Sequence, residues 1–306
     1  MFYKYRRKLW YWRFNRAVSG ILDTPPLVLQ DAPWTFVSMV WPRDVLMYLL
    51  AIKSFYRRIG KGQVVAIITR EAPPQMLETL RKHVPGIKIQ VQEDIDTGTC
   101  QRGGCWERLM YVLDHAQDGY VVQLDADVLA CGADLAEIEA CIADNRSFAM
   151  ADGQTLHSMA AAAELARGLQ GDYVGAVAER LFDQYPGHEN LRYLRGSAGL
   201  AGFAKGGFSR ADMERFHREM GRLVGEQRWR QWGTEQCASN FAVANSAKAM
   251  ALPHPAYATH EGTTPHPRTK CFHFIGTWRF DNGVYAGHGQ NEVAALLQDV
   301  SMRKAA

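Results

Sequence analysis

The sequence of 306 residues has few cysteines and little net charge. Its six cysteines include no Cys-x-x-Cys pair, so we predict neither a zinc site of paired thiols nor the disulfide framework of a small secreted domain. Reduced, mostly buried thiols are the simpler interpretation, and they favour the cytoplasm. The formal net charge of +3 is too small to make nucleic acid the expected partner.

Membrane spans and common nucleotide-binding loops are also missing from the sequence. The longest apolar region, residues 36–55, contains a proline and three charged side chains, so no segment qualifies as a membrane span. The amino terminus has no charge-free apolar core, so we expect no secretory signal. Because neither Gly-x-Gly-x-x-Gly after the first strand nor Gly-Lys-Ser/Thr occurs, dinucleotide-binding and P-loop folds are disfavoured.

The pattern of apolar residues predicts a layered α/β fold. With 47% hydrophobic residues, the chain can bury a substantial core, as one large α/β domain or as one domain plus an appendage. β-type runs alternate with helical patterns up to residue 130, which indicates a sheet with helices on both faces. The predicted strands are 35–40, 64–68 and 87–91, and the helices between them start at Val45 and Pro74. An alanine-rich region, 156–185, is predicted to be helical, and the glycines of 196–203 indicate a close backbone approach.

The first 16 residues interleave six basic with seven aromatic side chains. Cations attract anionic lipid head groups and aromatic rings settle at the membrane interface, so residues 1–16 are suited to an anionic membrane surface. The alternative is a basic arm packed on its own domain or on a sister subunit.

Two carboxylates follow the apolar run Tyr-Val-Val-Gln-Leu that starts at Tyr120. Alternate side chains of an extended backbone share a face, so Asp125 and Asp127 project together. A helical pattern from Trp106 and a turn at Gly119 precede the run, which places the acids at the carboxyl end of a strand, where open sheets bind ligands. Magnesium and manganese take such carboxylates together with phosphate oxygens, so the pattern predicts handling of a nucleotide diphosphate. A solvated acidic turn is the alternative.

A histidine flanked by phenylalanines lies far along the chain, in Phe-His-Phe-Ile-Gly-Thr-Trp-Arg. By itself, His273 is typical of a core residue with satisfied hydrogen bonds. Its neighbours favour a ligand-binding role, because Gly276 lets the backbone approach a ligand and Arg279 offers a fork for phosphate oxygens.

In their order along the chain, these segments resemble glycosyltransferase family eight, the retaining sugar transferases that include glycogenin and bacterial lipopolysaccharide galactosyltransferases. This family has, in order, an Arg-Leu helix, a Leu-Asp-x-Asp strand, an Asp-Gln-x-x-x-Asn segment and a closing His-x-x-Gly-x-x-Lys-Pro-Trp. The chain matches them in the same order with Arg108-Leu109, Leu124 to Asp127, Glu235 to Asn240, and His273 to Arg279. Two of these four segments depart from the family, at three points: Glu235 replaces Asp, Arg279 replaces Lys, and Phe280-Asp281 replaces Pro-Trp. Gly196 to Gly199 also replaces the family's Asn-rich segment, so a distant branch is implied and its donor and acceptor are not carried over.

The resemblance implies the GT-A fold, a mixed and mostly parallel central sheet flanked by helices. It covers roughly Thr35 to Phe280, so we expect a catalytic domain at 34–285. Composition predicts a basic aromatic arm and linker before it at 1–33, and the remaining residues, 286–306, are expected to form a carboxyl-terminal tail or helix. Within the catalytic domain, the nucleotide-binding half would be about 34–130 and the acceptor-side half 131–285.

The same resemblance implies roles for individual residues. A manganese or magnesium ion would be held by Asp125, Asp127 and His273. Nucleotide-sugar contacts would come from Thr35, Val37, Ser38, Arg108, Asp125, Ala126, Gly276 and Arg279. Among catalytic residues, Gln236 and Glu235 would orient the sugar for front-side transfer, and Arg279 would stabilise the leaving diphosphate.

The activity implied is metal-dependent transfer of a hexose from a nucleotide-diphosphate sugar, a UDP-sugar in this resemblance, with retention of configuration. The acceptor would be a glycan, a lipid-linked molecule or a protein, as in polysaccharide biosynthesis. A catalytically silent, membrane-attached binding protein with the same fold is the alternative. A nucleotidyltransferase is disfavoured, because Trp41-Pro42-Arg43 stands where a glycine-rich sequence is expected.

Overall fold

A computed structural model describes residues 2–262 and 265–305 of the chain as an α/β protein. The helices are α1 Phe2–Val18, α2 Val45–Ile59, α3 Pro74–His83, α4 Trp106–His115, α5 Ala136–Ala143, α6 Met159–Arg167, α7 Val174–Glu179, α8 Arg210–Val224, α9 Glu226–Trp229, α10 Thr234–Ala244 and α11 Val284–Ala305. The strands are β1 Trp34–Met39, β2 Gln63–Ile68, β3 Lys88–Val91, β4 Tyr120–Leu124, β5 Val128–Ala130, β6 Phe148–Met150, β7 His157–Ser158, β8 Arg192–Tyr193, β9 Ser197–Phe203, β10 Met250–Ala251, β11 Tyr257–His260 and β12 Cys271–Phe274. Short 3₁₀ turns lie at Ser19–Asp23, Pro42–Asp44, Gln92–Asp94, Phe182–Gln184, His188–Asn190, Gly276–Trp278 and Asp281–Gly283.

The main sheet has seven strands in the order β10-β6-β9-β4-β1-β2-β3. Strands β1 to β4 pair in parallel, whereas β9 runs antiparallel to both β4 and β6. Because parallel strands end at the same edge, the carboxyl ends of β1, β2 and β4 meet there. The predicted mixed, mostly parallel sheet with flanking helices is confirmed.

Alternate residues of the central strands pack into two separate hydrophobic cores, one on each face of the sheet. In β1, Phe36 packs on the side of α2, α3 and α11, whereas Val37 packs on the side of α4, α8 and α10. The continuous apolar run in β2 is explained by the same geometry, since Val64 and Val65 enter opposite cores.

A second sheet of three strands, in the order β11-β12-β5, extends from the end of β4. Strand β5 follows Asp127 directly and pairs antiparallel with β12, so that His273 lies opposite Val128. This pairing brings the carboxyl-terminal histidine beside the turn between β4 and β5.

Two segments differ from the sequence-based expectation. The glycine-rich stretch 196–203, for which we predicted only a close backbone approach, contains the buried strand β9. The alanine-rich region 156–185, predicted to be helical, is divided into β7, α6, α7 and a short 3₁₀ turn. A glycine at 168 and an irregular stretch before Val174 separate the two helices.

The basic aromatic arm forms helix α1, which packs against α11 and α2. Phe14 and Val18 are buried in the core shared with those helices. Met1 and the side chains of residues 2–7 lie outside the described part of the chain. Among the described residues, no helix has the length and apolar character needed to cross a membrane.

Candidate active site

Two carboxylates and one imidazole converge at the turn between β4 and β5. Asp125, Asp127 and His273 each offer one ligand atom, and these atoms lie within 4.8 Å of one another. His273 Nε2 is 3.2 Å from Asp127 Oδ1 and 3.8 Å from Asp125 Oδ2. The side chains of Asp127 and His273 are buried, whereas Asp125 is partly open to solvent. Such a donor set suits a divalent cation with coordination positions left for phosphate oxygens.

Backbone hydrogen bonds from three strands hold this turn in place. Asp125 N donates to the carbonyl of Gly199 on β9 at 2.8 Å, and Phe274 N on β12 donates to the carbonyl of Asp127 at 2.9 Å. Val128 N closes the turn by donating to the carbonyl of Asp125 at 3.2 Å. Both acidic side chains therefore sit on a backbone fixed by the main sheet and by the second sheet.

Ser197 orients the imidazole of His273, because Ser197 Oγ lies 2.6 Å from His273 Nδ1. That hydroxyl also accepts a hydrogen bond from Gly199 N at 3.1 Å. Burial lowers the pKa of His273, but the neighbouring Asp127 and Asp125 carboxylates outweigh burial, so its pKa is raised. For Nε2 to bind a metal, the ring proton must lie on Nδ1, which then donates a hydrogen bond to Ser197 Oγ.

Gly199 provides the space for the imidazole ring. A Cβ atom at this position would lie 2.2 Å from His273 Cε1, well inside van der Waals contact. The absent side chain of Gly199 therefore lets β9 pass directly against His273.

Each carboxylate has one oxygen held by an arginine and the other facing the imidazole. Arg108 Nη1 donates to Asp125 Oδ1, and Arg279 Nη2 lies 2.5 Å from Asp127 Oδ2. Burial raises the pKa of Asp127, but His273 and Arg279 outweigh it and hold this pKa below its ordinary value. Arg279 Nε also donates to the carbonyl of Phe274 at 3.0 Å, which fixes the guanidinium beside the cluster.

A buried polar layer lies behind Asp125. Arg108 Nη2 is 3.4 Å from Glu235 Oε1, and the Gln123 amide donates to the same oxygen at 3.5 Å. Burial raises the pKa of Glu235 to about 7 despite the attraction of Arg108, whose closer partner is Asp125. Among the described residues, Arg108 Nε and Gln123 Oε1 have no hydrogen-bond partner.

Three other predicted site residues differ from one another in their exposure to solvent. Gln236 lies half-buried on the first turn of α10, directly after the buried Glu235. Gly276 is exposed in a left-handed conformation with φ of 52° between His273 and Arg279. On the turn itself, Ala126 is buried between the two acids.

Three of the predicted nucleotide-sugar contacts, Thr35, Val37 and Ser38, lie within strand β1. Thr35 is half-buried, whereas Ser38 and Val37 are buried, and Val37 packs into the core on the α4 side. The structure therefore brings both acids, the histidine, Arg108, Arg279 and Glu235 into one cluster, and it places Val37 in the core.

Three contributors to the site were not identified from the sequence. In the sequence, Ser197 and Gly199 belong to a glycine-rich stretch and Gln123 to an apolar strand, and neither pattern indicates a site residue. Asp44 occupies the cap position of α2 without a side-chain capping bond. Burial raises the pKa of Asp44, against the opposing charges of Arg43 and Arg279, so this acid belongs to the surroundings of the site.

Comparison of the sequence with protein-family models and with curated proteins finds no match. The fold is similar to that of WbbM, a bifunctional glycosyltransferase, with 14% identity, a TM-score of 0.47 and coverage of 85% of this chain and 52% of WbbM. This chain thus spans about half the length of WbbM.

Two further solved structures are similar in fold. The galactosyltransferase LgtC in complex with donor and acceptor sugar analogues is 11% identical, with a TM-score of 0.47 and coverage of 85% of this chain and 95% of LgtC. Core-mannan synthase A from Aspergillus fumigatus, in its Mn/GDP form, is 9% identical, with a TM-score of 0.41 and 72% coverage of each chain.

Proposed function

We propose that this protein is a metal-dependent glycosyltransferase that moves a hexose from a nucleotide-diphosphate sugar to a glycan, lipid-linked or protein acceptor. One observation carries the proposal: Asp125, Asp127 and His273 converge at the carboxyl edge of parallel strands, beside two arginines. This edge is where open α/β sheets bind ligands, and the combination of acids and guanidinium groups suits a metal-bound diphosphate.

The donor set fits a divalent cation held by Asp125 Oδ2, Asp127 Oδ1 and His273 Nε2. We favour Mn²⁺ over Mg²⁺, because Mg²⁺ prefers a shell of oxygen ligands and an imidazole is present here. A cation at this position would act as a Lewis acid toward the diphosphate that leaves the sugar. Ser197 would keep the ring proton on Nδ1, leaving Nε2 free for the cation.

The arginines and the first turn of α10 supply the other roles. Arg279 lies against Asp127 with a forked set of N–H donors, which can bind phosphate oxygens and stabilise their growing charge. Arg108, held between Asp125 and Glu235, positions the carboxylate of Asp125. Gln236 would contact the sugar, and Glu235 would act through Arg108.

We propose transfer with retention of configuration, as the family resemblance implies. Within a retaining reaction we favour front-side attack, because the amide of Gln236 is a poor nucleophile for a covalent intermediate. In this route the departing phosphate accepts the proton of the acceptor hydroxyl. A UDP-sugar is the proposed donor. The six free thiols fit a reducing compartment, and we propose that the protein works in the cytoplasm.

A panel of nucleotide sugars, incubated with the protein and Mn²⁺, tests the proposal by release of nucleoside diphosphate. We expect release from at least one donor, its loss with a chelator, and a decrease of at least 100-fold in Asp127→Asn. Asp144→Asn removes an exposed acid of another segment and serves as the matched control. Donor hydrolysis that persists in Asp127→Asn would refute the proposed site, and metal-dependent donor binding without turnover would support the silent binding protein instead.

A further inference from the structure

Helix α1 turns one face to solvent along its described length. The exposed side chains recur with helical spacing, which places them within one arc of the helix. This basic face of α1 consists of Lys8, Leu9, Trp12, Arg13 and Arg16. Trp12 is 54% and Leu9 is 47% exposed, so both apolar groups remain uncovered in the folded chain.

Positive charge on the basic face is not neutralised within the described part of the chain. Helix α1 contains no acidic residue, and neither Lys8, Arg13 nor Arg16 makes an ion pair with a described residue. Instead, the guanidinium of Arg13 lies 5.0 Å from the ring centre of Trp10, and that of Arg16 lies 5.5 Å from the ring centre of Trp12. Exposed cations interleaved with indole rings are the composition of helices that lie in a membrane interface.

The opposite face of α1 is fixed to the protein beside the metal-ligand cluster. The ring of Phe14 packs at 5.2 Å from that of Phe280, and Tyr11 packs at the same distance from Phe280. The Tyr11 hydroxyl donates to the carbonyl of Arg43 at 2.9 Å. Phe280 directly follows Arg279, whose guanidinium binds Asp127, so α1 contacts the residue next to the site.

We propose that the basic face of α1 docks on a bilayer containing anionic phospholipids. The cations match the charge of the head groups, while Trp12 and Leu9 supply the apolar groups that enter the interface. A bilayer fits better than an acidic peptide, because the cations lie beside two exposed apolar side chains, Trp12 and Leu9, and an acidic peptide would match only the charge. If the proposed transferase function is correct, docking through α1 holds the site at the lipid surface and favours a lipid-linked acceptor.

Co-sedimentation with vesicles tests the docking directly and needs no nucleotide sugar. We expect the full chain to sediment with vesicles of phosphatidylcholine and phosphatidylserine, but not with phosphatidylcholine alone, and to be released by high salt. Each basic residue near an anionic surface strengthens binding about fivefold, so Arg13→Gln with Arg16→Gln should weaken it by roughly 30-fold. Trp12→Ala should also weaken binding, because the interfacial indole is lost.

The matched control replaces two exposed arginines of α8, Arg215→Gln with Arg222→Gln, which changes the net charge equally on another helix. We expect this control to bind vesicles like the unmodified chain. Equal weakening by both double variants, binding to neutral vesicles, or self-association through α1 detected by light scattering without vesicle binding would each overturn the proposal. Binding of UDP with Mn²⁺, measured on the same variants, separates the two ideas: its absence in every variant refutes the transferase and leaves the docking result intact.

Discussion

At the scale of single residues, the main feature is the pairing of each proposed metal-ligand carboxylate with an arginine. Asp125 and Asp127 together carry two negative charges, and Arg108 and Arg279 carry two positive charges beside them. A cation that approaches the carboxylate oxygens not held by an arginine therefore meets a site in which these four charges cancel. The phosphate oxygens of a bound diphosphate add the negative charge that attracts the cation. We therefore expect the metal and the diphosphate to bind more tightly together than separately.

This charge balance gives a prediction for Arg279→Gln. The affinity for Mn²⁺ alone should stay equal or increase, because a positive charge leaves the neighbourhood of Asp127. The affinity for UDP at saturating Mn²⁺ should fall by about 1.5–3 kcal/mol, the range for a hydrogen bond to a charged group. Isothermal titration calorimetry measures both values, with Arg70→Gln on the exposed surface as the control. A parallel loss of both affinities would show that Arg279 mainly holds the carboxylate in place.

At the scale of secondary structure elements, strand β9 is the support of the candidate site. It is antiparallel to β4. It places the hydroxyl of Ser197 and the backbone of Gly199, which has no side chain, next to the imidazole of His273. A local glycine-rich sequence has low strand propensity, and this explains why the strand was not predicted. The glycines are required by contacts from other strands, which a local pattern does not contain.

Gly199→Ala tests this support. The added methyl group would force the His273 ring to move, so we expect a loss of about 1–3 kcal/mol in unfolding free energy. Mn²⁺ affinity should fall at least tenfold, because the imidazole is displaced. Gly287→Ala on α11 is the control, since an added Cβ there meets no atom within 4 Å. Urea unfolding and metal titration provide the two readouts, and unchanged Mn²⁺ binding in Gly199→Ala would contradict the proposed role of β9.

At the scale of the whole molecule, much of the α/β layering could be predicted because its signals are local. The β-branched run of β2, the proline at the start of α3 and the glycine after α2 each specify their element through backbone preference. The position of His273 was different, since it depends on the pairing of β12 with β5 across more than a hundred residues. Only the resemblance to a family placed that histidine with the acids before the fold was known.

A buried pair also makes the stability of the molecule depend on pH. Lys53 Nζ donates to Thr24 Oγ1 at 2.8 Å and to the carbonyl of Pro25 at 2.6 Å, and it lies 3.2 Å from His83 Nδ1. Burial and then the Lys53 charge lower the pKa of His83 to about 4. The neutral imidazole is thus the form that the fold accommodates.

The sign of this effect follows from the depressed pKa of His83. Below its ordinary pKa of 6.5, the unfolded chain takes up the proton before the folded chain does, so stability should decrease as the pH falls from about 6.5 to about 4. His83→Gln keeps an acceptor for Lys53 without titrating, and its decrease over the same range should be smaller. Urea unfolding at several pH values measures the difference, with the exposed His266→Gln as control. Identical pH profiles for His83→Gln and the unmodified chain would contradict this explanation.

The most direct measurement on the whole protein is the binding of Mn²⁺, followed by electron paramagnetic resonance of the free ion. We predict one bound Mn²⁺ per chain, and a decrease in affinity of at least tenfold in Asp127→Asn, with Asp134→Asn as an exposed acidic control that binds normally. Equal binding by Asp127→Asn and the unmodified chain, or no binding by either in the presence of UDP, would contradict the assignment of Asp125, Asp127 and His273 as the metal ligands.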